Sequence, residues 1–403
     1  MFQYEDNQNL FNKPDSYVAD IKVFGIGGGG NNAVNRMIQA GITSASFYAI
    51  NTDKQALYMS LVPERERKLQ IGASLTKGLG AGANPEVGRA AAEESKEAIT
   101  EILRGTDLLF ITAGMGGGTG TGAAPVIAAI AKELGILTVA VVTKPFSFEG
   151  NTRMKNAELG IANLRKNVDT LVIIPNEKLV SSFTRDITMV EAFKRADEVL
   201  RQGISGISDL IVFPSLINLD FADVKTVMSN RGMAHMGLGV GKGQSKTVDA
   251  IKQAVYSPLL ETTIEGSTGL IINITGGVDL TMFEVYEGIK LVRDVLDPSA
   301  TLIFGADIRE NLDNEVQVTI IATGFDAKNT IQKSKQSFFG EQQAAAAATP
   351  SPSGKPLFEN SADPDKYRIN LAKEKPAEKK LPQPNIKLED ESNIPAFLRK
   401  LKK

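Results

Sequence analysis

Cysteine is absent from the 403 residues, and there is one histidine, His235. The first absence excludes disulfides, thiolate metal sites and cysteine nucleophiles together, and the second leaves no histidine cluster. An excess of charge is missing too: 45 Lys+Arg stand against 47 Asp+Glu, so no dominant electrostatic partner such as nucleic acid is expected. No apolar run is long enough to span a membrane, since the longest, Ala123 to Val142, is broken by Lys132 and Glu133. The opening Met-Phe-Gln-Tyr-Glu-Asp-Asn-Gln lacks the basic and apolar regions of a signal peptide. The expectation is a soluble cytoplasmic protein. A Walker A loop is also lacking: the nearest imitation, Gly239-Val-Gly-Lys242-Gly-Gln, has neither the spacing nor the Ser/Thr after the lysine.

Hydrophobic residues make up 42% of the chain, enough for two domains with sizeable cores. Charge is unevenly spread. Residues 328–403 carry 15 Lys+Arg against 9 Asp+Glu, a net of +6, and residues 1–327 carry 30 against 38, a net of −8. Eight of the 17 prolines and a run of five alanines, 344–348, also fall in that last part, which reads as a disordered linker.

The most informative stretch is Gly114-Met-Gly-Gly-Gly-Thr-Gly-Thr-Gly122, with six glycines in nine residues. An apolar, β-branched run, Asp107–Thr112, precedes it as a buried strand. A helix is expected from Ala123 to Leu134, with Pro125 in its first turn and Gly135 at its end. Glycines are kept at such a turn where the backbone takes φ > 0 or approaches something closely. Successive N–H groups ahead of a helix N-terminus suit phosphate. A similar arrangement occurs earlier. Asp20–Phe24 reads as a strand leading into Gly25-Ile-Gly-Gly-Gly-Gly-Asn-Asn32, with a helix from Ala33 to Ala40. Gly25, Gly27 and Gly30 fit G-x-G-x-x-G, with Asp53 after a second strand, Ser46–Ile50, which is compatible with a Rossmann-type nicotinamide enzyme. A dehydrogenase does not predict the second, richer run, whereas a triphosphate gripped from both sides does.

Further strands are expected at Ile136–Val142 and Thr170–Ile174, and a helix at Pro85–Leu103. Strand–helix alternation with glycine loops at strand ends makes this part an α/β, doubly wound parallel sheet. From Thr188 to Leu210, apolar residues recur at Val190, Phe193, Ala196, Leu200, Ile204 and Ile207, the period of a long amphipathic helix. Strands at 269–275, 300–306 and 316–323 and a helix at 281–296 form a second, α+β part. Glu64–Lys68 reads as a solvated charged turn, and His235 as a packing or surface residue.

Gly116-Gly-Gly-Thr-Gly-Thr-Gly122 resembles the phosphate loop of the tubulin/FtsZ family of polymerising GTPases. So do Asn51-Thr52-Asp53, Gly72–Gly88, Thr143–Arg153 and Asn218-Leu-Asp-Phe-Ala-Asp223, in the same order. The resemblance implies a Rossmann-like GTP-binding domain, a long central helix and a second α+β domain. It further implies a self-assembling GTPase forming head-to-tail cytoskeletal filaments at the bacterial division site. By that match Gly27, Gly28, Gly29, Gly30, Asn31 and Asn32, with Gly116, Gly117, Gly118, Thr119, Gly120 and Thr121, hold GTP or GDP. Mg²⁺ would be held mainly by phosphates and water.

Glu149 and Arg153 read locally as an i,i+4 surface ion pair, and the resemblance implies contact with ribose and phosphate. Phe193 and Asp197 share a helix face. A carboxylate can accept from the paired N–H groups of guanine, the role the resemblance implies for Asp197. Asp220 and Asp223 suit a helix start. The resemblance implies that they, with Asn218, complete the nucleotide site of the next subunit. The domain plan is then an arm over 1–17, a GTP-binding domain over 18–187, a central helix over 188–212, a catalytic loop over 213–223, an α+β domain over 224–325, a linker over 326–390 and a terminal peptide over 391–403. Ile394, Phe397, Leu398 and Leu401 follow helical spacing, and residues 393–401 resemble the peptide that binds membrane-tethering division proteins.

Overall fold

The computed structural model describes residues 19–180, 187–213, 215–217, 219–257, 264, 266–310 and 312–325. The expected arm at 1–17, Asn218, the linker and the terminal peptide lie outside the described residues. In chain order, the first elements are β1 (Ile21–Ile26), α1 (Gly27–Gln39), β2 (Ser46–Asn51), α2 (Lys54–Tyr58), β3 (Lys68–Gln70) and α3 (Ala73–Thr76). These are followed by α4 (Pro85–Glu94), α5 (Lys96–Leu103), β4 (Leu108–Gly114), α6 (Thr119–Glu133), β5 (Leu137–Lys144), α7 (Asn151–Leu164) and β6 (Thr170–Pro175). After α8 (Asn176–Val180) and the long α9 (Met189–Val212) come α10 (Phe221–Met228), β7 (Gly232–Lys242) and α11 (Lys246–Val255). The last are β8 (Gly269–Gly276), α12 (Met282–Arg293), β9 (Thr301–Ile308) and β10 (Glu315–Thr323).

The strands form one sheet in the order β3-β2-β1-β4-β5-β6-β7-β10-β8-β9. From β3 to β6 all pairs are parallel, and strands such as β1 and β4 are buried along nearly their whole length. That is why they read as continuous apolar runs rather than alternating ones. Helices cover both faces. Val23, Phe110 and Val139 pack with α1 and α9 on one side, and Phe24, Ile111 and Ala140 with α4 to α7 on the other. β7 joins β6 in parallel only over Gly232–Ala234, then pairs antiparallel with β10. Here α11 and α12 cover a third core around Ile272, Ile274 and Val318.

Three sequence expectations are corrected. Both glycine-rich stretches end inside helices: α1 starts at Gly27 and α6 at Thr119, where Gly122 N–H donates to the Gly118 carbonyl at 3.0 Å. Pro125 is consequently interior to α6 and forgoes the bond to the Thr121 carbonyl that an N–H would make. The helix expected over 85–103 is broken at Ser95, whose hydroxyl oxygen accepts from Gly72 N–H. Glu64–Arg67 is the exposed charged turn expected, in 3₁₀ form, and Lys68 opens β3.

The missed element of most consequence is β7, Gly-Met-Ala-His-Met-Gly-Leu-Gly-Val-Gly-Lys, whose glycines suggest a loop. Gly237, Gly239 and Gly241 alternate on one face, and a Cβ on each would lie 2.0, 1.9 and 1.8 Å from carbonyl oxygens of Ala254, Ala250 and Lys246. They are there because α11 lies directly on the strand. His235, also in β7, meets the Phe325 ring edge to face at 4.5 Å. Among the described residues no helix is long and apolar enough to cross a membrane.

Candidate functional site

The carboxyl ends of β2, β4 and β5 open into a cavity of about 570 Å³, the place where parallel α/β sheets bind ligands. Gly28, Gly29 and Asn32 from α1 face Gly117, Gly118, Thr119 and Gly120 at the start of α6 across it. The two stretches touch behind the cavity, where a Cβ on Gly27 would lie 2.8 Å from the Gly120 nitrogen. Neither helix has a side-chain N-cap or an acidic residue in its first turn. Their leading N–H groups and positive dipole ends are left to an anion. By contrast, Thr188 and Glu191 close α9 with a capping box, and Thr281 and Glu284 close α12 in the same way.

Glu149, Arg153, Phe193 and Asp197 all line the same cavity. Arg153 Nη1 donates to Glu149 Oε2 at 2.6 Å, and Glu149 Oε1 accepts from Phe146 N–H at 2.9 Å, so the arginine is held at the wall. Phe193 meets Phe146 edge to face, with centroids 5.3 Å apart, and Phe146 stacks on Phe148 at 5.1 Å. This leaves Phe193 half open to cover a planar ligand. Burial pushes the Asp197 carboxyl up to about 6, opposed by the Arg36 guanidinium 4.0 Å away.

Five of the expected residues do not reach the wall. Gly27, Gly30 and Gly116 lie behind it, and Thr121 Oγ1 accepts from Gly116 N–H at 2.8 Å, shaping the turn. Asn31 is buried with its amide turned inward among carbonyls; with the amide nitrogen assigned to face them, it donates to Gly27 and, at 3.3 Å each, to Gly25 and Ile50. The cavity adds residues not singled out as site residues from sequence: Asn51, Asp53, Ala81, Thr143 and Asn176. Asn176 is buried, and its Oδ1 has no partner among the described residues. A Pro-Asn step after a buried strand is the only local signal for it.

Asp220 and Asp223 are elsewhere. Asp220 Oδ1 accepts from Ala222 N–H at 3.2 Å, and Asp223 is in the first turn of α10, both exposed as the capping pattern predicts. From Asp197 to Leu210, where α9 meets the loop through Leu219 N–H, the helix rises about 20 Å. They therefore cannot act in the cavity of their own chain.

Residues 20–184 match the family model for the tubulin/FtsZ family, GTPase domain, and residues 232–326 that for the FtsZ family, C-terminal domain. An empty FtsZ dimer from M. jannaschii is similar at 47% identity and TM-score 0.74, over 79% of this chain and 92% of that one. The chain belongs to the tubulin/FtsZ family. It is a GTPase that binds GTP and GDP. Fold likeness extends to GDP-bound CetZ1 from Haloferax volcanii, at 22% identity and TM-score 0.66, over 80% of this chain and 99% of that one. The family match does not favour the nicotinamide reading, which rested on G-x-G-x-x-G with Asp53 after the second strand.

The Asp197 environment sets a pH dependence. Between the ordinary carboxyl pKa and about 6, the free folded protein holds a proton that the unfolded chain has lost, so the group favours folding at low pH and opposes it above 6. A guanine edge needs the carboxylate. Affinity for GDP is expected to be flat above pH 7 and to fall roughly tenfold per unit below pH 6. Arg36→Met, which removes the opposing charge, should move the break upward; titration calorimetry from pH 5 to 8 checks both. An unbroken profile would show that Asp197 does not read the base.

Among the described residues no group of three or more His, Cys, Asp or Glu side chains could hold a metal ion. A Mg²⁺ would have to come with the triphosphate and water.

Proposed function

We propose that the triphosphate of GTP lies between the starts of α1 and α6, with its base at Asp197 and Phe193, and that hydrolysis is completed by Asp220 and Asp223 of a second copy. The single observation carrying this reading is the uncapped pair of helix N-termini on one cavity, whose lining carboxylates are Glu149, Asp53 and Asp197, the last of these assigned to the base. Glu149 is tied to Arg153 and Phe146. Asp53 caps α2 by accepting from Gln55 and Ala56 N–H. Hydrolysis needs a water oriented in line with the γ-phosphorus and relieved of a proton, for which exposed carboxylates are suited.

Binding and hydrolysis on opposite ends of the chain make the contact heterologous, so copies add head to tail into an open filament. A protofilament is what the structure of CetZ2 from Haloferax volcanii records, and the FtsZ structure from M. jannaschii is a dimer. The reading extends to a cytoskeletal polymer for bacterial cell division, acting in the cytoplasm at the division site with Mg²⁺-bearing GTP. Residues 393–401 would dock a membrane-tethering division protein, supported by their helical apolar spacing.

The test is phosphate release from GTP across protein concentrations. A rate near zero below a threshold and rising above it is expected. A rate per chain that does not depend on concentration would mean each copy carries a complete site. Protection against heat by NAD and not by guanine nucleotides would restore the dehydrogenase reading.

A further inference from the structure

Thr52 is not part of the cavity wall, yet its fully buried side chain stands directly behind a residue that is. Its hydroxyl lies 2.7 Å from that of Thr119, the first residue of α6, and among the described residues neither hydroxyl has another hydrogen-bond partner. Each hydroxyl has one proton and two acceptor lone pairs, so the pair has two arrangements. If Thr119 donates to Thr52, lone pairs of Thr119 face the cavity and repel an anionic oxygen. If Thr52 donates to Thr119, the Thr119 proton is free to point into the cavity.

We propose that Thr52 is a positioning residue for phosphate binding: its hydroxyl donates to Thr119 Oγ1 and so leaves the Thr119 proton to a phosphate oxygen of the nucleotide. The inference rests on the reading that the phosphates sit at the start of α6. A hydroxyl that accepts while it donates is the stronger donor, and a bond to an anionic oxygen is stronger than one between neutral groups.

The backbone of Thr52 is held for this role. Its carbonyl accepts from Thr76 Oγ1 at 3.3 Å, and Thr76 Oγ1 also reaches the Gly72 carbonyl at 3.0 Å. Two residues on, Lys54 N–H donates to the Gly78 carbonyl at 3.1 Å. The bonds from Thr52 and Lys54 tie the turn after β2 to the segment 76–83, of which Gly80, Ala81 and Ala83 line the cavity. Thr52 is thus fixed from one side and has a single hydroxyl contact on the other.

The test compares GDP and guanosine binding, the latter by competition, for the parent chain, Thr52→Val and Thr52→Ser. Valine keeps the shape and removes the hydroxyl. It is expected to weaken GDP about tenfold and leave guanosine within about twofold, with serine restoring GDP binding. Equal losses for GDP and guanosine, no loss for GDP, or failure of serine to restore it would each overturn the role, leaving packing as the function of Thr52. Should the valine variant not fold, Thr52→Ala read against Thr52→Ser makes the same comparison. A parent chain that binds GDP no better than guanosine would remove the phosphate site itself and both readings with it. A parent that discriminates, beside a valine variant that discriminates equally, would remove only the role of Thr52.

Discussion

Asp223→Ala is expected to lower GTP turnover by about a hundredfold or more, the contribution of a positioned acid–base group, while GDP binding stays unchanged. Asp223 is exposed in the first turn of α10, so its structural contribution is limited to a favourable charge near a helix N-terminus, worth about 0.3–1 kcal/mol. A loss of turnover far larger than the loss of stability therefore reads chemistry. The decisive version mixes two defective chains. Asp223→Ala keeps an intact cavity, and Asp197→Ala keeps an intact α10. If the site is shared, the mixture hydrolyses GTP faster than either chain alone. Unchanged turnover in Asp223→Ala, or a mixture no faster than the sum of its parts, would return the chemistry to groups within one chain.

The second large effect is on stability. Gly239→Ala places a methyl group 1.9 Å from the Ala250 carbonyl oxygen and 2.7 Å from the Ala254 nitrogen, inside the backbone of α11 rather than against a side chain that can turn away. Either α11 lifts from β7 or the strand shifts, and overpacking of this kind costs about 3 kcal/mol. For a unit of this size the midpoint of thermal unfolding should fall by roughly 6–12 °C. Val240→Ala, on the opposite and half-open face of the same strand, is the control and should change little. A Gly239→Ala chain as stable as its parent would mean the helix does not lie where β7 needs it to.

Stretches with a local cause were legible in the sequence. Buried parallel strands announce themselves as apolar runs, α9 by its period, and both glycine stretches by lying between a strand and a helix. Where reading failed, a local signal was ambiguous. Alternating glycines in β7 look like a loop unless the helix that occupies the missing Cβ positions is known. The glycines that open α1 and α6 look like loops because their low helix propensity is overridden by what they touch. Gly30 is an example: a Cβ there would lie 2.3 Å from the Thr112 carbonyl oxygen in β4.

The candidate site divides in the same way. Gly117 to Gly120, Glu149, Arg153, Phe193 and Asp197 were each identified from their own segment, by motif or helical spacing. Asn31 was grouped with its neighbours in sequence but faces inward, because a helix turns successive residues about 100° apart. Asn176 joins the site from a strand end that carries no motif of its own, and Thr52 lies in the family-like Asn51-Thr52-Asp53, where nothing local shows that its hydroxyl backs Thr119.

By itself the sequence determined the strand and helix periods, the two glycine stretches, the absence of thiols and of a histidine cluster, and the family. These follow from residue type and spacing along the chain, where backbone sterics and periodic burial act locally. Tertiary structure decided that one sheet runs through both halves and that Asp197 is buried enough to hold its proton to about pH 6. It also decided that Thr52 backs Thr119 and that Asp220 and Asp223 are out of reach of their own cavity. Each of these depends on distance and dielectric between segments far apart in the chain, and no local pattern records them.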